Sequence, residues 1–318
     1  MQDRPSWLDS APVRLGAYGA ILALALGGGA LVGATVGPDA AVDSDGTAAE
    51  PTMDMDTDGA TELPAGLAVS RDGYTLDLRT STVDAGARNE LELVITGPDG
   101  RPVEDYEVEH DKELHLIVVS RDLVGYAHVH PIRDDAGLWT VEVPTMRPGS
   151  YRVFADFTPA GAEGLTLGAD LTVPGESTPV PLPAPSSEVT VDGYDVSFAG
   201  ELVAGTESEI TVTVMRDGEP VTDLDPYLGA LGHLVAIRDG DLAYLHVHPL
   251  AMATGPGGPA VRFAVEVPTA GTYGLYFDFS HDGAVRTAPV IAEAVQADAQ
   301  PAADDASVST GGHDQHGG

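Results

Sequence analysis

Six histidines recur at one spacing. His115, His128 and His130 are separated by thirteen and then two positions, and His233, His246 and His248 repeat both intervals. The last two of each set lie in a Tyr-x-His-Val-His-Pro run, from Tyr126 to Pro131 and from Tyr244 to Pro249. Neutral imidazoles are donors of intermediate softness, suited to Cu(II), Zn(II) or Ni(II), whereas calcium and magnesium prefer oxygen. Without any cysteine, thiolate sites and disulfides are excluded, and a late transition ion must be held by His, Asp, Glu or Met. The spacing predicts about one divalent ion per repeat. Copper comes first by affinity order, with zinc or nickel as alternatives. Binding through unperturbed imidazoles would weaken below about pH 6.

Geometry for the second set follows from Asp239-Gly240 between two apolar runs, a pair suited to a two-residue type I′ hairpin turn. That turn pairs Arg238 with Asp241, sets His233 opposite His246, and brings His248 to the same face. If Arg121-Asp122 closes the first hairpin in the same way, His115, His128 and His130 form an equivalent patch, although a bulged loop there would shift the register. The competing reading is that these histidines sit on a strand pair apolar on both faces, as Leu116, Ile117, Val118 and Val119 suggest, and hydrogen-bond to backbone groups. Asp156 and Asp278 occupy matching places in two Tyr-x-x-(Phe/Tyr)-x-Asp-Phe runs. There a carboxylate could orient a ligand imidazole by accepting its second N–H. His110 and His281 have no counterpart in the other repeat and are expected at the surface.

These hairpins belong to two copies of one all-β module. Short alternating runs at Tyr74-Thr-Leu76, Leu91-Glu-Leu93, Trp139-Thr-Val141 and Tyr151-Arg-Val153, with 165–173 after them, predict an antiparallel sandwich over residues 65–174. The order returns over 188–294, where Val265-Glu-Val-Pro268-Thr reproduces Val141-Glu-Val-Pro144-Thr. Residues 175–187, crowded with proline, predict a semi-rigid spacer that holds the units apart.

Outside the repeats, residues 1–14 carry Arg4 and Arg14 ahead of an uncharged run at 15–37, long enough to span a bilayer. Arginines before it and acids after it predict a single-pass anchor with a cytoplasmic N-terminus and extracytoplasmic domains. A cleaved signal peptide ending near Ala40 and Ala41 is the alternative. Residues 38–64 read as a disordered acidic linker, in which Met53 and Met55 are a faint metal-capture signal, and residues 295–318 as a disordered tail in which His313 and His316 could gather metal. The net charge is −35 and Lys112 is the only lysine of the 318 residues. Nucleic acid and anionic lipid surfaces are thereby excluded as electrostatic partners, and cations favoured.

The Gly-Tyr-x-His-Val-His-Pro run, the later Tyr-Arg-Val-Phe-Ala-Asp-Phe run and the Asp225-Pro-Tyr-Leu-Gly-Ala-x-Gly-His233 stretch resemble bacterial exported proteins described as heavy-metal-binding or YtkA-like. The likeness covers roughly residues 65–290. It implies membrane-tethered or secreted Ig-like or cupredoxin-like sandwiches associated with copper handling, and its matched positions are His115, His128, His130, Asp156, His233, His246, His248 and Asp278. The Cys-containing ligand set of a blue-copper site is missing, which argues against electron transfer. No nucleophile motif, phosphate loop or acid/base pair accompanies the histidines, so the sequence predicts no enzyme. It predicts an anchored extracytoplasmic metal-binding protein, with an Ig-like adhesion or scaffold protein as the alternative. A protein partner is not identifiable from the sequence.

Overall fold

The computed structural model describes residues 64–297 apart from His246. The expected membrane span, the acidic linker with Met53 and Met55, the tail with His313 and His316, and the side chain of His246 lie outside the described residues.

Every regular element among the described residues is a β-strand. In the first repeat β1 (Ser70–Arg71), β2 (Tyr74–Leu78), β3 (Asn89–Thr96), β7 (Leu138–Val143) and β6 (Ile132–Arg133) form one sheet in that order. It faces a second sheet ordered β5 (Tyr126–Val129), β4 (Leu114–Ser120), β8 (Gly149–Phe157), β9 (Leu165–Val173). Alternation fixes which side chains meet between the layers: Leu91, Leu93 and Ile95 of β3 point inward and are fully buried, packing with Leu116 and Val118 of β4, Val153 of β8 and Trp139 of β7.

The second repeat follows the same plan. One sheet runs β10 (Glu188–Val191), β11 (Tyr194–Ala199), β13 (Glu207–Arg216), β18 (Ala260–Glu266), β17 (Val247–Pro249), with β14 (Glu219–Pro220) on β13. The other runs β12 (Leu202–Val203), β20 (Ala284–Val295), β19 (Gly271–His281), β15 (His233–Arg238), β16 (Tyr244–Leu245). Strand β20 gives a weak sequence signal because it is rich in alanine and contains Pro289. It tolerates the proline because β12 pairs only with Ala294 and Val295 and Ser186 N bonds only Ile291 O beyond them, so Pro289 lies where β20 is an edge.

Each repeat carries a tyrosine corner, the hydroxyl-to-backbone tie of Ig-like sandwiches. Tyr151 Oη donates to Arg147 O at 3.0 Å and Tyr273 Oη to Thr269 O at 2.8 Å, each four residues upstream. The fold is two tandem Ig-like antiparallel sandwiches.

Both His hairpins depart from the predicted register by two residues. Leu116 pairs with Val129 and Ile117 with His128, so His115 lies level with His130 rather than His128. In the second repeat Ala236 pairs with Leu245, and Arg238 N bonds Ala243 O, so Asp241 is not Arg238's ladder partner. The cause is a four-residue loop in place of a two-residue turn. Leu123 and Leu242 adopt left-handed backbone, φ 58° and 62°, and both side chains are buried. Asp241 supports its loop by pairing with Arg238 and accepting from Ala243 N; Asp122 does the same for Ser120 Oγ and Val124 N. Because the offset is even, the side chains of the paired strand residues keep their predicted faces.

The repeats are not held apart. Ile117, Val119, Leu123 and Phe154 of the first pack directly on Val235, Ile237, Leu242, Tyr244 and Tyr276 of the second. The proline-rich segment lies along this contact: Leu182 packs on it and Val180 N donates to Asp122 Oδ2. Gly66, at φ +74°, threads between Phe154 and Tyr244, where a Cβ would come within 2.4 Å of the Phe154 ring.

Candidate metal centre

The outer faces of β4 and β15 carry histidine at one end and branched aliphatic residues along the rest. Strand β4 is buried at all seven positions: Leu116 and Val118 fill its own core, while His115, Ile117 and Val119 turn the other way. Strand β15 divides likewise, with Leu234 and Ala236 inward and His233, Val235 and Ile237 outward. An apolar outer face must be covered, and each repeat covers the other's. The two histidine ends are thereby carried to one place, where His115 and His233 stack side by side.

His115, His128 and His130 each offer a nitrogen within 4.8 Å of the others, and His128, His233 and Asp278 form a second such group. Ring centroids lie 5.3 Å apart for His115 and His128, 5.0 Å for His115 and His130, and 4.9 Å for His128 and His130. His233 stacks on His115 at 5.6 Å. His115 Nε2 meets Glu109 O at 3.1 Å; a carbonyl only accepts, so His115 carries its proton on Nε2 and turns the Nδ1 lone pair to His128 Nε2, 3.1 Å away. Two ligand atoms of a tetrahedral ion are separated by about 3.3 Å, so this pair already has the required spacing. His128 Nδ1 lies 2.9 Å from Asp278 Oδ2, and both side chains are almost wholly buried. His130 Nε2 is buried without a hydrogen-bond partner.

Electrostatics keep donors available. Burial, reinforced by the neighbouring His128, lowers the His115 pKa to about 4. Burial, then His128, His115 and Lys112, lowers that of His130 to about 2. Both rings are neutral far below the pH 6 limit expected for unperturbed imidazoles.

The two aspartates differ in use. Asp278 does meet a ligand-type imidazole, but one from the other repeat. Asp156 pairs in register with His115, yet its Oδ1 accepts from Thr166 Oγ1 at 2.9 Å and its Oδ2 from Tyr244 Oη at 3.0 Å. His248 is exposed on β17, in the opposite sheet beside Ala264, and is not part of either group.

Two histidines expected at the surface are elsewhere. His110 occupies the tight turn between Glu109 and Lys112, with φ 48°, and its ring stands 5.4 Å from His233 and 6.1 Å from His115. The polar Glu-His-Asp-Lys stretch just before the buried β4 run was the signal for that turn. His281 is buried at the far end of β19, bonded to Tyr194 Oη at 2.7 Å and Asp223 Oδ1 at 3.1 Å.

The family model described as "Domain of unknown function (DUF8832)" matches twice, over residues 68–174 and 189–296. No curated protein matches the sequence. Among solved structures the chain is similar to FdeC, an Escherichia coli adhesin, at 16% identity, covering 72% of this chain and 66% of that one, with a TM-score of 0.25. It is similar to the Yersinia pseudotuberculosis adhesin InvE at 12% identity over 71% and 60%, TM-score 0.23, and to invasin, a bacterial integrin-binding protein, at 12% over 70% and 39%, TM-score 0.21. The chain thus spans less than two thirds of the length of each.

Proposed function

We propose that this chain, which belongs to the family Domain of unknown function (DUF8832) through both of its repeats, is a metal-binding protein whose centre is built on His115, His128 and His130. One observation carries the reading: three imidazoles converge within 4.8 Å, and one of their nitrogens, His130 Nε2, is buried without a partner. A buried polar atom left unsatisfied calls for an explanation, and a late first-row divalent ion supplies it, copper by affinity order or zinc. The protein itself contributes lone pairs held neutral by burial and the carboxylate of Asp278 against His128. The role is binding rather than catalysis. Residues 15–37 would anchor the centre outside the cytoplasm, and protease added to intact cells should then remove both repeats.

The test is equilibrium dialysis of the full chain against Cu(II) and Zn(II). Stoichiometric uptake that is lost in His128→Ala supports the reading, and absence of uptake refutes it. A second reading, a non-enzymatic Ig-like scaffold with structural histidines, is favoured by the bonds His115 and His128 already make to Glu109 O and Asp278. Under it His128→Ala loosens the repeats while no ion is ever taken up.

A further inference from the structure

The donor atoms do not end with the first repeat. His128 belongs to both groups, and its partners in the second are His233 and Asp278. These come from opposite ladder positions of β15 and β19, so one strand pair of the second repeat presents an imidazole and a carboxylate together. Asp278 is buried, its Oδ1 accepts from Thr287 Oγ1, and its ion-pair partner among the described residues is His128. A carboxylate out of water needs a compensating positive charge, and among the described residues no arginine or lysine pairs with Asp278, whose partner is His128. A divalent ion does, and imidazole with carboxylate is a ligand combination that zinc and copper accept.

We propose that one ion is shared by the two repeats, held by His128 of the first through Nδ1 and by His233 and Asp278 of the second, so that the metal is a clasp across the repeat–repeat contact. The proposal rests on the metal-binding reading and deepens it. Only one ion is expected: Nε2 of His128 faces His115 and Nδ1 faces Asp278, a ring gives one ion one nitrogen, and ions on both nitrogens would place like charges close together in a buried site. The centre is then incomplete in either repeat alone, and occupancy reports that the repeats are docked.

The experiment uses the full chain and Zn(II) against a chromophoric competitor chelator. One zinc per chain is expected, with affinity reduced at least about tenfold in Asp278→Asn and in His233→Gln, on the scale seen for altered metal surroundings, and unchanged in the exposed His248→Gln. Since buried substitutions can disturb packing, hydrogen exchange on the wild-type chain gives a second measurement: zinc should slow the amides of Phe277 to Phe279 in β19 as well as those of β4 and β5. No zinc uptake by the wild type would overturn the metal-binding reading and the clasp with it. Uptake with unaltered affinity in both variants and protection confined to the first repeat would overturn the clasp alone. Two zinc ions per chain would likewise overturn the shared site.

Discussion

His128 is the pivot of the cluster because both of its ring nitrogens are engaged, Nε2 toward His115 and Nδ1 toward Asp278. Removing the ring leaves the Asp278 carboxylate buried without its partner, which costs more than the lost bonds alone. His128→Ala should therefore destabilise the metal-free chain by about 3 kcal/mol, measured by urea unfolding in chelator; a loss under about 0.5 kcal/mol would show that water reaches Asp278. The depressed values of His115, about 4, and His130, about 2, set a pH dependence of definite sign. Unfolded imidazoles titrate near 6.5. Below that pH the unfolded chain takes up protons that the folded chain refuses, so this contribution to stability is complete above about pH 6.5 and falls as the pH drops toward 4. Shedding negative charge acts in the opposite direction, so the comparison is made between variants. The metal-free wild type should lose stability relative to His130→Gln between pH 7.5 and pH 5, and a constant difference would refute neutral burial.

At the scale of elements, two effects compete in the hairpin loops. A left-handed leucine costs about 1–2 kcal/mol, while the buried side chain of Leu242 stands to lose about 2–5 kcal/mol on truncation. Burial wins, which is why the chain forms a four-residue loop instead of the tight turn that Asp239-Gly240 suits. Leu242→Gly, which relieves the backbone and deletes the side chain, should be net destabilising by about 1–3 kcal/mol, and a stabilised variant would reverse that ranking. Local turn chemistry in the sequence could not reveal this, because the reward for burying Leu242 comes from Phe154's repeat, remote in the chain. The period-two pattern of Leu91, Leu93 and Ile95 was legible, and so was the common face of His115, His128 and His130, since an even register offset leaves faces unchanged. The hydroxyl of Tyr151 gives a smaller check: Tyr151→Phe removes one corner bond and should cost about 1 kcal/mol.

At the scale of the whole described region, the repeats meet through equivalent surfaces, as in an isologous dimer joined by a linker. Tyr126 stacks on Tyr276 with centroids 4.0 Å apart, and the corresponding Phe154 and Tyr244 lie 5.5 Å apart. The sequence held the hint, for Ile117 and Val119 make β4 apolar on both faces and such a strand needs two covers. It did not say that the second cover is the other repeat, because no residue spacing encodes a contact between copies. Symmetry is broken at the hydroxyls: Tyr244 donates to Asp156 and Tyr276 to Leu123 O at 2.6 Å, whereas Tyr126 Oη is buried without a partner. This contact is apolar and continuous with both sandwiches, so the repeats should unfold together. Trp139 lies in the first core and Tyr276 in the second repeat, which allows a readout across the contact. In a Trp7→Phe background, leaving Trp139 as the only tryptophan, Tyr276→Ala removes a buried ring worth about 3–5 kcal/mol. The unfolding midpoint reported by Trp139 fluorescence should fall although the substitution is in the other repeat, and it should coincide with the midpoint from circular dichroism. A Trp139 midpoint that stays put while the second repeat melts early would show two independent sandwiches.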